Sequence, residues 1–312
     1  MAIIAMIGRT AGVFLLGATV GAAQRPAARA CHSAAPTAAG VVVWGGAQAC
    51  GVGVLSDSVL WRWDGVRWQA LPGPPIPPRE DALLAPFGDD LVLIGGRRDG
   101  RVASDVWRFD GARWRRVDAA GGPGPIEHGA VAYDPVRRRV VVFGGAVGRT
   151  FDAKTYEFDG TRWSAFDVAG PAPRVGHGMA WSAADGGVLL YGGFREDSFR
   201  DLWRWDGRRW ERLAADGPTP TEGHVVAEAA DGILIVGPGL DGGGAVRAWQ
   251  WRQGAFHPIG PAGPPLLIGA TATFDRGRAA LVLWGGRAEG GPPSDAIHEL
   301  GAQGWRRIEP TP

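Results

Sequence analysis

The 312-residue chain has almost no net charge: 33 Lys plus Arg stand against 32 Asp plus Glu, leaving +1. Without a net field nothing draws the whole molecule to nucleic acid or to an anionic membrane, and a nucleic-acid partner is not expected. Cysteine is nearly missing, with only Cys31 and Cys50, and the C-x-x-C spacing of dithiol redox sites does not occur. P-loop, H-E-x-x-H, G-x-S-x-G and EF-hand patterns are lacking as well. Gly237-Pro238-Gly239-Leu240-Asp241-Gly242 fits G-x-G-x-x-G, but GGGAVRAWQW follows it directly as another strand pattern. A dinucleotide site needs a helix N-terminus at that point, so neither a nucleotide nor any other cofactor or metal is expected.

Long apolar runs are confined to the N-terminus. Met1 to Ala23 is apolar apart from Arg9, with AGVFLLGATVGAA as its hydrophobic region and Gly21, Ala22 and Ala23 before Gln24. This reads as an export signal over residues 1–23, cleaved after Ala23, because the run is well short of the roughly 20 residues that span a bilayer. The expected location is periplasmic or extracellular, with no membrane span after cleavage. Ala28-Arg29-Ala30 before Cys31 lacks the aliphatic residue of a lipidation site.

In excess are glycine (51), proline (24) and tryptophan (15). Glycine and proline at this level border on low complexity unless turns recur on a period. They do recur. VVVWGG, LVLIGG, VVVFGG, LLYGG and LVLWGG end at Gly46, Gly96, Gly145, Gly193 and Gly286, with a degraded ILIVGPG at Gly237, so the first glycines lie roughly 45 to 50 residues apart. A second motif keeps the same spacing: WRWDGVRW at 61, WRFDGARW at 107, YEFDGTRW at 156, WRWDGRRW at 203, WQWRQGAF at 249 and HELGAQGW at 298. Each copy reads as four strands. In the third they are HGAVAYD, RVVVFGG, TYEFD and TRWSAF, and Asp-Gly marks a primed hairpin turn between the last two.

Period-2 alternation sends Trp61 and Trp63 to one face and Arg62 to the other. All the tryptophans fall into such columns, so packing explains their number and no separate stacking platform is left for bases. The paired glycines let a bulky group of a neighbouring strand or blade lie directly on the backbone. Six units burying both faces against neighbours describe an all-β, six-bladed β-propeller of four antiparallel strands per blade. The first-to-fourth strand order is flush in every copy, so the ring is expected to close by packing of blade one on blade six. Cys31 opens the first strand of blade one and Cys50 follows the glycines of its antiparallel neighbour, which makes a bridge sterically plausible.

The paired glycines, the aromatic-x-aromatic-Asp-Gly third strand, the fourth-strand Trp and a first strand opened by Pro173-Arg174-Val175-Gly176-His177 resemble the kelch-repeat propellers, of the galactose oxidase central-domain type. The resemblance covers residues 32–309, after a short segment 24–31. It implies the propeller fold and, for function, a choice among partner binding, scaffolding and enzymes. A copper-radical oxidase would need tyrosine ligands and a Cys-Tyr crosslink, whereas Tyr133, Tyr156 and Tyr191 sit in structural columns.

Strand direction places the second-to-third loops and the blade-to-blade loops on one face, where function belongs. The ligand-binding candidates there are Arg79, Arg98, Arg174, His177, Arg195 and His224. His32, His128, His177 and His224 occupy about the same place in four blades, which favours structural hydrogen bonding over metal ligation. The leading expectation is a monomeric, non-enzymatic binding module for a protein or glycan. The alternative is a sugar isomerase resembling the kelch-type epimerases and mutarotases of N-acetylneuraminate, with Glu222 or Glu196 as acid/base.

Overall fold

In the computed structural model the described residues are 25–51, 56–218, 224–238, 244–265, 267–288 and 290–311. The export-signal expectation, on residues 1–23, lies outside them, as does Glu222. Six antiparallel four-stranded sheets form, each in the order first, second, third, fourth strand, with two small two-stranded ribbons beside them. Blade one comprises Ser33–Thr37, Gly40–Trp44, Leu60–Trp63 and Trp68–Leu71. The first strands of the others are Leu83–Phe87, Ala130–Asp134, Gly178–Ser182, Val225–Glu228 and Ile268–Asp275. Each first strand packs beside the next blade's first strand, and that of blade six returns to that of blade one. The result is a closed six-bladed β-propeller. Where the six inner strands crowd together, the equivalent positions are small: Ala35, Ala85, Ala132, Ala180, Ala227 and Thr273.

The core lies between blades. Six buried clusters each join two neighbours; one sets Trp61, Trp63 and Trp68 of blade one against Val282, Trp284 and Ile297 of blade six. The tryptophans also use their indole N–H groups across blades, as Trp205 donates to Glu157 (2.7 Å) and Trp210 to Thr155 (2.8 Å).

Two belts of backbone hydrogen bonds run around the axis. In the first, the second glycine of a blade donates to a carbonyl of the next: Gly46 to Arg79 (2.8 Å), Gly96 to Ile126 (2.9 Å), Gly145 to Arg174 (3.0 Å) and Gly286 to Arg29 (2.8 Å). In the other, Cys31 donates to Gly269 (2.8 Å), Asp81 to Cys31 (3.0 Å) and Gly176 to His128 (3.2 Å). These residues share a left-handed backbone, with φ of 53° at Cys31, 53° at Asp81, 55° at His128, 64° at Gly176 and 70° at Gly269. Ring closure between blades six and one is therefore the same contact that joins blades one to four. Cys31–Cys50 is a disulfide with Cα atoms 5.6 Å apart, placed on that seam. Thr311 adds a bond from its N–H to the Val66 carbonyl (3.0 Å) at the other end of the chain.

The Asp-Gly turn differs from the two-residue primed turn expected. Trp63 pairs with Trp68 across a four-residue loop in which Gly65 alone has positive φ, 98°. Asp64 instead accepts the N–H groups of Val66 and Arg67 (both 2.9 Å). Asp110, Asp159 and Asp206 repeat the device. The aspartate is there for its side chain, which replaces a ladder bond at the bend.

Candidate functional site

Several of the candidate residues turn out to hold the scaffold. Arg174 is fully buried; its guanidinium donates to the Gly192 carbonyl (2.9 Å) and to both oxygens of Asp201 (2.6 and 3.2 Å), and stacks 3.9 Å from the Phe199 ring centre. Arg79 makes the same pair of contacts with the Gly95 carbonyl (2.8 Å) and Asp105, and Arg29 with Gly45 (3.1 Å) and Asp57 (2.8 Å). Each of these aspartates also accepts a third-strand indole N–H, from Trp203, Trp107 or Trp61. Burial alone would raise the Asp201 carboxyl, but the Arg174 and Trp203 hydrogen bonds hold it below its ordinary value. At Arg174 every guanidinium nitrogen is engaged by the scaffold, Nε by the Ala172 carbonyl (3.0 Å). Arg79 and Arg174 are clamps that fix the end of the second strand to the start of the third.

His177 and His224 are equally internal. Their Nε2 atoms sit 3.1 Å from the Phe143 carbonyl and 3.0 Å from the Tyr191 carbonyl, both in the preceding blade, and His32 Nε2 meets Thr271 (2.6 Å) across the closing seam. His128 does not belong with them. It precedes its strand by one more residue, occupies the left-handed position and is 42% exposed at the side chain. Burial pushes both His32 and His177 down to about 3, Arg29 adding to the effect at the first and Arg174 and His224 at the second. Both stay neutral in the fold while the unfolded chain would protonate them below about 6.5. Stability carried by neutral His32 and His177 is therefore complete above pH 6.5 and is lost as pH falls toward 3. A thermal-melt series should show that decline, with up to about 1.4 kcal/mol per pH unit for each histidine; a flat profile over this window would contradict their burial.

The remaining candidates are solvated and do not converge. Arg98 is 41% exposed and pairs with Asp99 (3.0 Å); Arg195 is 45% exposed and faces the Phe151 ring and Glu196. Glu196 is 87% exposed, with Arg195 Nε 3.9 Å away.

What does converge on the loop face is a group on blades two and three. Glu80, Asp81 and Glu127 close around Arg97, whose Nε lies 3.0 Å from Glu127 and whose Nη2 lies 3.6 and 3.8 Å from Glu80 and Asp81. His128 Nδ1 stands 3.5 Å from Asp81, and its Nε2 3.9 Å from Glu127. Antiparallel bridges set the geometry: Glu80 pairs with Arg97 and Glu127 with Ala146, so the loops leaving the second strands are pinned to the segments entering the first. Glu80 also accepts the Gly51 N–H (2.5 Å). Asp81 Oδ2 and Glu127 Oε2 are buried without a hydrogen bond of suitable direction. Burial pushes the Asp81 carboxyl up to about 6, with Glu80 and Glu127 adding to the rise and His128 and Arg97 opposing it. Asp81, Glu127 and His128 each offer a ligand atom within 4.8 Å of the others, a set able to hold a cation.

Asp81 escaped the sequence reading because the first-strand motif was anchored on histidine, and blade two has Ala82 where other blades have His32 or His177. The signal lay one residue earlier, where the aligned positions read Cys31, Asp81, His128 and Gly176. The axial cavity, about 260 Å³, is lined by the inner strands and includes none of the three carboxylates that ring Arg97.

No protein family matches the chain, and no curated protein is found to be related to it. Among solved structures it is similar to one described as "Structure of YjhT", at 14% identity and a TM-score of 0.68, covering 91% of this chain and 98% of that one. At that identity the likeness establishes the fold alone. The six-bladed propeller is thus seen both in the architecture and in a solved neighbour.

Proposed function

We propose that the chain is an exported, monomeric kelch-type propeller that works as a binding module, and that its loop face takes a cationic group of a protein or amino-glycan partner at Glu80, Asp81 and Glu127. The observation carrying this reading is an internal control. At the positions of Glu80 and Asp81, blade one has Ala30 and Cys31 and blade four has Val175 and Gly176, all in the same backbone pairing. The scaffold does not need charge there, yet blades two and three gather three carboxylates around one guanidinium, at a cost visible in the raised Asp81 carboxyl. A cost without a structural return is the mark of a site. Turnover chemistry at Glu196 has less support, because that carboxylate is 87% exposed and stands 3.9 Å from Arg195, itself 45% exposed.

Asp81→Asn separates the two sides of this argument. A carboxyl with a raised folded value destabilises the fold above about pH 6 and ceases to do so below its ordinary value near 3.8. The variant should therefore melt higher than the parent at pH 7, by on the order of 1–3 kcal/mol, and equally at pH 3.5. It should also bind an oligolysine peptide at least tenfold more weakly by calorimetry at low salt, while Glu211→Gln on an outer strand leaves binding unchanged. Equal peptide affinity in parent and Asp81→Asn would refute the site.

A further inference from the structure

The opposite mouth of the axial cavity carries a second constellation, made where the inner strands end. Six equivalent positions form a collar there: Pro36, Pro86, Tyr133, Trp181, Glu228 and Phe274, each paired with the same place on its second strand. All line the cavity, and five of the six are apolar or aromatic. The exception, Glu228, is met by Arg276 of the next blade, Nη2 to Oε2 at 2.5 Å, and Arg276 lines the same cavity. Other blades have Ala38, Gly88, Pro135 and Ala183 at the step where Arg276 stands, so neither charge belongs to the repeat.

From this we infer that the turn-face mouth is a binding site for a free apolar α-amino acid. A zwitterion has one carboxylate and one ammonium side by side, and a lone guanidinium–carboxylate pair in an apolar rim is its complement. Among the described residues no other partner meets Glu228 Oε1 or the remaining guanidinium N–H groups of Arg276, so the ligand ammonium docks on the first and its carboxylate on the second without breaking the pair. The side chain then enters the cavity past the collar residues Pro86, Tyr133 and Trp181. At about 260 Å³ the space is just below the usual range for drug-sized ligands, which limits the occupant to a single small molecule. Each inner strand pairs on one side only, so its other edge keeps backbone donors and acceptors toward the axis for water around the ligand head.

The site is independent of the acidic loop-face cluster, and its test can fail alone. Calorimetry with L-leucine, N-acetyl-L-leucine and L-leucine methyl ester should give binding at least tenfold weaker for each analogue lacking one charge. Glu228→Gln should erase the preference over the N-acetyl analogue and Arg276→Gln the preference over the ester, whereas Glu211→Gln, on the outer strand Trp210–Ala214, should change neither. A merely structural ion pair would not sort the analogues in this way. No saturable leucine binding by the full chain, analogues bound as well as leucine, or an equal response to methyl glucoside would overturn the assignment.

Discussion

Replacing Arg174 by Ala should cost about 3–5 kcal/mol, the usual penalty for removing one partner of a buried ion pair. The loss has three physical parts. Asp201 would remain largely buried with the Trp203 indole as its remaining side-chain hydrogen-bond donor and Arg212 as a more distant charge. The Gly192 carbonyl would lose its guanidinium donor, and Phe199 would lose the cation over its face. At roughly 2–4 °C per kcal/mol the melting temperature should fall by about 10 °C. Arg195→Ala, at a residue 45% exposed, should lie within about 0.5 kcal/mol of the parent. The pair was equivalent in the sequence reading, since both were arginines on the loop face, so their divergence is a direct test. Similar small effects from both substitutions would mean that Arg174 is not the clamp described. Joint replacement of Arg174 and Asp201 by apolar residues should cost less than Arg174→Ala alone, because it removes the uncompensated charge.

Much of the fold was legible because it is written six times. The third copy shows why: the strands expected over His128–Asp134, Arg139–Gly145, Thr155–Asp159 and Thr161–Phe166 form as Ala130–Asp134, Arg139–Phe143, Thr155–Phe158 and Trp163–Phe166. Only the ends move, where glycine or the Asp-Gly bend leaves the ladder. The site was less legible because a residue's partner is set by the ring and not by its neighbours in sequence. Arg174 and Asp201 are 27 residues apart, and nothing local to Pro-Arg-x-x-His says that the arginine is already engaged. Yet a signal existed. Asp57, Asp105, Asp152 and Asp201 all precede a third strand and all accept a hydrogen bond from its first aromatic, Trp61, Trp107, Tyr156 or Trp203. Asp57, Asp105 and Asp201 recur in step with Arg29, Arg79 and Arg174 and are their structural counter-ions, whereas blade three has Ile126 at the arginine position and Asp152 serves Tyr156 and the Lys154 N–H. Glu80 and Glu127 share one position in blades two and three where blades one and four have Ala30 and Val175, and Asp81 stands where those two blades have Cys31 and Gly176; this departure from the repeat is what sets the proposed site apart from the scaffold.

That distinction gives the paired glycines the second large effect. A Cβ built on Gly144 would stand 2.6 Å from the Arg174 carbonyl oxygen and 2.6 Å from His177 Cε1, both of the next blade. Its φ of +64° adds the strain of a left-handed residue, about 1–2 kcal/mol for alanine. The carbonyl cannot retreat freely, since it accepts the Gly145 N–H at 3.0 Å, and the His177 ring is held by the Phe143 carbonyl at 3.1 Å. Gly144→Ala should therefore open one joint of the ring and cost on the order of 4 kcal/mol or more, placing it among the exceptional single substitutions. Gly148 supplies the control. It also has positive φ, +59°, but a Cβ there meets nothing within 4 Å, so Gly148→Ala should show the strain alone. Denaturant unfolding of the two variants separates conformation from crowding: if Gly144→Ala cost no more than Gly148→Ala, the glycines would be there for their φ angles and not to let one blade lie on the next.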